Sequence, residues 1–133
     1  MRRTKISSGA KWEDIVGYSR AVRVGNRVII GGTTAIDENS DVIGEGDAYL
    51  QTKCILQKIE KVLKEAGAKL DDVVRNRIYV TDISKWEDIG RAHAEFFSKI
   101  KPCCTMIEVR GFISEGMMVE IETEAEINGE IEK

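Results

Sequence analysis

The stretch Met118–Ile127 reads Met-Val-Glu-Ile-Glu-Thr-Glu-Ala-Glu-Ile. Alternation this regular predicts a β-strand with two unlike faces. Val119, Ile121, Thr123, Ala125 and Ile127 point to one side, and Glu120, Glu122, Glu124 and Glu126 to the other. The apolar side needs a covering layer of helix or sheet. Like charges in file repel, so the acidic side needs water or arginines beside it, with Arg75 and Arg77 as first candidates.

The other elements follow from local pattern. Tyr18–Val24 and Arg27–Gly31 are strand-like and flank Gly25-Asn26, a two-residue turn signal, so they predict a hairpin. Asp37–Gly46 is a polar, glycine-bearing loop suited to facing a ligand. Ile55, Ile59, Val62, Leu63 and Ala66 recur at helical spacing, which predicts a helix from about Asp47 to Ala66 stopped by Gly67. Leu70–Val80 contains a strand, with Val74, Asn76, Ile78 and Val80 on one face and Arg75, Arg77 and Tyr79 on the other. A second helix starts at a Ser84/Glu87 capping box and carries Trp86, Ile89, His93, Phe96, Phe97 and Ile100 on one stripe. Pro102 ends it, and strands over about Cys104–Val109 and Met118–Ile127 close the chain. Helices interspersed with mostly antiparallel strands predict an α+β sheet with both helices on one face.

At 133 residues the chain predicts a single domain over 1–133. A net charge of −3 argues against a surface for nucleic acid, which would need clustered positive charge. No apolar run reaches the length of a membrane span. Neither a signal peptide nor an even cysteine count is present, so a cytoplasmic protein with reduced thiols is expected. Cys103 and Cys104 are adjacent at a strand start and should face opposite ways, one inward and one outward. No spacing of Cys and His suggests a metal site, and no cofactor is expected.

Several segments in order resemble the RidA/YjgF family of enamine/imine deaminases. Gly17-Tyr18-Ser19-Arg20-Ala21-Val22 is similar to the family's Gly-Pro-Tyr-Ser-Gln-Ala-Val, and Val28–Thr33 stands where the family has a strand ending Ser-Gly-Gln. Val74–Asp82 matches its central strand, and Phe96-Phe97 its helix end. Pro102-Cys103-Cys104 followed by Ile107-Glu108-Val109 and Val119–Glu122 resembles its ending, Pro-Ala-Arg, a Val-Glu-Val strand, a turn, then Ile-Glu-Ile-Glu. The resemblance implies a chorismate-mutase-like (YjgF-like) fold, a homotrimer, and a small-metabolite cleft between subunits. A small sheet needing cover on its second face agrees with such an assembly.

By resemblance Glu120 positions the attacking water, a task for a carboxylate within hydrogen-bond reach. Tyr18 lines the cleft, where a ring with a polar tip can stack on a planar ligand. Gly32 and Thr33 stand in the Ser-Gly-Gln segment, and the Gly32 N–H is a candidate oxyanion donor, with a strand-end bulge as the alternative reading. Cys104 replaces the arginine that grips the substrate carboxylate, and a thiol cannot make that paired charged contact. Arg75, Arg77 and Arg110 are the nearest substitutes. The lone His93 reads as a packed residue rather than a base for Cys104. The turn over Gly111–Gly116 is one residue longer than the family pattern.

These readings predict hydrolysis of an enamine or imine to a carbonyl and ammonia, on a substrate altered by the missing arginine. A non-catalytic ligand-binding or regulatory trimer is the alternative. The endoribonuclease or translation-inhibitor activity of some relatives fits an acidic chain less well.

Overall fold

The computed structural model describes residues 2–127. Strands β1 (Arg3–Ile6), β2 (Ala21–Val24), β3 (Arg27–Thr34), β4 (Val73–Val80), β5 (Cys103–Glu108) and β6 (Val119–Glu126) form one sheet in the order β1-β2-β3-β6-β4-β5. Helices α1 (Ala48–Glu65) and α2 (Trp86–Phe97) are the crossovers. Every strand pair is antiparallel except β4 with β5.

The topology explains why the helices share a face. β3 and β4 both run antiparallel to the β6 strand between them, so they are parallel to each other. The steps β3 to β4 and β4 to β5 move the same way across the sheet. Right-handed crossovers then place α1 and α2 on the same side. This is the α+β architecture expected, with the apolar side of β6 as its centre.

Val119, Ile121, Thr123 and Ala125 are buried under that layer, with Ile55, Leu56, Ile59 and Leu63 of α1 above them. Asp47 caps α1 by accepting from the Leu50 N–H at 3.0 Å, and Gly67 follows its end at φ 82°. Gly25, at φ 61°, makes the β2–β3 turn that brings Val24 opposite Arg27. A chain of polar groups crosses the core: Thr123 Oγ1 donates to Asn76 at 2.7 Å, and the Asn76 amide lies 3.0 Å from His93 Nε2 on α2. The Asn76 oxygen faces Thr123, so its amide N–H donates to His93 and the imidazole is neutral. Burial pushes the His93 pKa down in agreement.

Several expectations change. β1 pairs with β2 along an edge where the sequence offered no alternation. Val74 is 46% exposed rather than buried, because a register shift between Val73 and Arg75 turns it outward and gives Val73 the core place. The Ser84/Glu87 capping box does not form; Asp82 accepts from the Ser84 N–H at 3.0 Å and starts a 3-10 turn, Ile83–Lys85, that leads into α2. Trp86 is 56% exposed, while Ile89 and Phe97 carry the buried stripe. Cys103 and Cys104 are both exposed, because β5 is an edge strand and neither of its faces is well covered.

Candidate functional site

A cleft of about 670 Å³ opens on the glutamate side of the sheet, at the end of β6 nearest Val119. Its floor is Gly31, Gly32, Thr34, Glu120 and Glu122, and Tyr18 with Arg20 form one wall. Trp12 and Val16 come from the N-terminal segment, while Phe112, Ile113 and Met117 come from the loop before β6.

The floor depends on an irregularity in β3. Ile30 pairs with Thr123 and Thr33 with Ile121, so Gly31 and Gly32 together span the place of one residue. This bulge reverses the side-chain parity of the strand. Thr33 therefore turns into the core beside Ile121, where its hydroxyl donates to the Gly31 carbonyl at 2.9 Å. Thr34, in register with Glu120, faces the cleft in its stead. A Cβ on Gly32 would lie 2.8 Å from the Glu120 carboxyl carbon, so glycine is needed for the carboxylate to rest over this backbone. The bulge reading of Gly32 is the one seen here, and the same glycine makes room for Glu120.

Glu120 is half-buried. Burial pushes its pKa up, nearby Arg20 pulls it down, and Glu122 adds to the rise. Glu122 differs, since it accepts a hydrogen bond from Tyr79 Oη. Farther along β6, Glu124 pairs with Arg27 at 2.6 Å and with Arg75 Nε at 3.5 Å. The Arg27 hydrogen bond, ahead of the opposing effect of burial, lowers the Glu124 pKa. Charge on the row is thus compensated at the far end and raised in energy at the cleft. Arg27, which the sequence reading passed over, contributes more there than Arg77.

Two clamps shape the walls. Glu13 is buried and accepts from Ser7 Oγ at 2.8 Å, from the Ser8 N–H at 3.1 Å and from the Ser8 hydroxyl. Burial opposes its charge, but the Ser8 and Ser7 hydrogen bonds outweigh that and lower its pKa. This anchors the wide helical turn Glu13–Gly17 just before Tyr18. On the other side, fully buried Gln51 donates to the Gly116 carbonyl at 2.7 Å and the Gly44 carbonyl at 3.3 Å. Its own oxygen accepts from the Met118 N–H at 2.8 Å, so α1 holds the loop that closes the cleft.

Of the residues singled out in the sequence, Tyr18, Gly32 and Glu120 come together in the cleft. Thr33 lies beneath it. Cys104 is not part of it within one chain: it is in register with Asn76, and β4 separates it from β6. Partial burial of its thiol, on a residue otherwise open to solvent, raises the Cys104 pKa and favours the uncharged form. Arg110 does not line the cleft, and neither does Arg75 or Arg77. The residue missed is Arg20, which stands where the resembling motif has glutamine.

Residues 9–127 match the family model described as endoribonuclease L-PSP. An uncharacterized protein of Streptomyces coelicolor is 37% identical over 121 residues, covering 91% of this chain and 90% of its own. The 3-aminoacrylate deaminase RutC of Acinetobacter baylyi is 33% identical over 110 residues, 83% of this chain and 86% of its own. A crystal structure of a YjgF-family member from Mycobacterium tuberculosis superposes with a TM-score of 0.87 at 48% identity, covering 95% of this chain and 100% of that one.

Proposed function

The chain belongs to the YjgF/RidA family, the one whose model is described as endoribonuclease L-PSP, and from that premise we propose that it is an enamine/imine deaminase. The observation that carries the reading is the half-buried Glu120 carboxylate held over Gly32 in a cleft beside Tyr18. A relative named for 3-aminoacrylate deamination supports the reaction class.

In the proposed reaction a planar C=N group lies against Tyr18 above Gly32. Glu120 takes a proton from water as the water oxygen bonds to the imine carbon. That proton passes to nitrogen to give a carbinolamine; the hydroxyl proton then moves by way of Glu120 to the amine, the C–N bond breaks, and ammonia leaves as the carbonyl forms. A carboxylate whose pKa is raised by burial is a better base for this than an exposed one. Among the described residues no donor hydrogen-bonds to Glu120, so its oxygens are open to that water.

The sheet face around the cleft supports assembly into a trimer. Ile29 and Ile107 are 42% and 47% exposed on the side that no helix covers. Packing of that face against neighbours would cover them and bring another copy's Cys104 edge toward the cleft. Light scattering on a dilute sample tests this, with a trimer mass expected and a monomer mass contradicting it.

One observation favours a second reading. Cys104 offers an uncharged thiol where the resembling motif has arginine, as in a cleft that binds a metabolite without turning it over. The two readings separate on the decay of an enamine generated in situ, followed spectrophotometrically with wild type and Glu120→Gln. Turnover abolished by the substitution supports the deaminase, and absence of turnover in both supports binding alone. Ribonuclease activity has less support, since a chain of net charge −3 does not favour a nucleic-acid backbone.

A further inference from the structure

Arg20 is 9% exposed and lines the cleft. One Nη donates to the Gly32 carbonyl, and the guanidinium carbon sits 5.4 Å from the centre of the Tyr18 ring. Among the described residues no carboxylate stands within ion-pairing distance of it. A guanidinium has five N–H donors, and a single carbonyl leaves most of them unused. Glu120 and Glu13 feel its charge from beyond ion-pairing distance, and a buried cation is costly unless an anion stands in direct contact with it.

Its position relative to Glu120 is specific. The Arg20 Nη binds the carbonyl of Gly32, and the Glu120 carboxylate rests over the α-carbon of the same glycine. Anion recognition and proton transfer are thus anchored on one residue. We infer that Arg20 is the carboxylate-recognition residue of this cleft, selecting imino or enamino acids over their neutral analogues. This rests on the deaminase reading of the same cleft and deepens it. The grip comes from the segment leading into β2, not from the β5 edge that holds Cys104, and from the same chain as Glu120.

Paired N–H···O contacts from a guanidinium to a carboxylate are directional and charge-assisted, and neither glutamine nor lysine reproduces them. A neutral analogue of the ligand should therefore lose what the arginine supplies, without any mutation.

The test is calorimetric or NMR titration with 2-oxobutyrate, a short 2-oxo acid, and with its amide 2-oxobutyramide. Wild type should bind the acid at least about tenfold more tightly than the amide. Arg20→Gln should erase that preference, and Arg20→Lys should keep part of it. In enamine hydrolysis Arg20→Gln should raise KM for carboxylate substrates with a smaller change in kcat, whereas Glu120→Gln should lower kcat. Equal binding of acid and amide by wild type overturns the inference, as does no binding of the acid or a preference that survives Arg20→Gln. If Arg20→Gln does not fold, wild type and Arg20→Lys decide. Acid-selective binding lost in Arg20→Gln, with no turnover by wild type, keeps Arg20 and sinks the deaminase. Turnover lost in Glu120→Gln, with KM unchanged in Arg20→Gln, does the reverse.

Discussion

The two faces of β6 belong to one strand and do different work. On the helix side Val119, Ile121, Thr123 and Ala125 are buried and fully partnered. On the other side Glu120, Glu122 and Glu124 are half-buried, and their compensation is uneven: two arginines for Glu124, a tyrosine hydroxyl for Glu122 and, among the described residues, no direct donor for Glu120. Satisfaction of every group is what stability asks for. A carboxylate left without a donor in a cleft is what chemistry asks for. The difference places the proposed function where the compensation of this sheet stops.

The contrast is broken most severely from the helix side. Ile121→Ala removes a fully buried side chain and should cost about 2–5 kcal/mol, read from urea unfolding. Folded molecules of the variant should retain activity, because Ile121 points away from the cleft. Gln51→Ala removes three hydrogen bonds that hold the loops at Gly44, Gly116 and Met118. Leaving buried backbone groups unpaired should cost about 1–3 kcal/mol, and protection of the Met118 amide in hydrogen exchange should fall.

A smaller effect is expected at His93. Its folded pKa is lowered by burial, and its Nε2 accepts from Asn76, so the folded state favours the neutral ring. The unfolded chain then binds more protons below its own pKa of about 6.5. Stability should be full above that pH and decline as pH falls from there through the folded value. His93→Leu should flatten this part of the profile in denaturant titrations from pH 7 to pH 5, and an unchanged slope would show that His93 is not its source. The smallest effect belongs to the rim: Arg27→Ala loses a mostly exposed ion pair to Glu124 and should cost about 0.2–1 kcal/mol, less at high salt.

What could be read from the sequence was whatever depended on local periodicity. The faces of β6, the Gly25-Asn26 turn and both ends of α1 follow from alternation, a turn-forming glycine and helical spacing ended by Gly67, and each stands in the structure. The failures within the sheet share a cause, since each depended on a neighbour distant in sequence. The bulges at Gly31-Gly32 and Val74 change parity through pairing with β6, which sent Thr33 inward and Val74 outward. Asp82 displaced Ser84 as the cap because a 3-10 turn precedes α2. In the cleft Tyr18, Gly32 and Glu120 were legible through their motifs, but Arg20 was not. A lone arginine before a strand carries no signal until the fold buries it against Gly32.

Glu120 and Ile121 are adjacent in the chain and face opposite ways, so together they test the account at one point on the strand. The measurement is enamine hydrolysis per folded molecule for wild type, Glu120→Gln and Ile121→Ala, each with its midpoint of urea unfolding. The account predicts that Glu120→Gln loses on the order of a hundredfold or more in kcat with its midpoint nearly unchanged. It predicts that Ile121→Ala keeps wild-type kcat while its midpoint falls. Wild-type turnover that survives Glu120→Gln would contradict it.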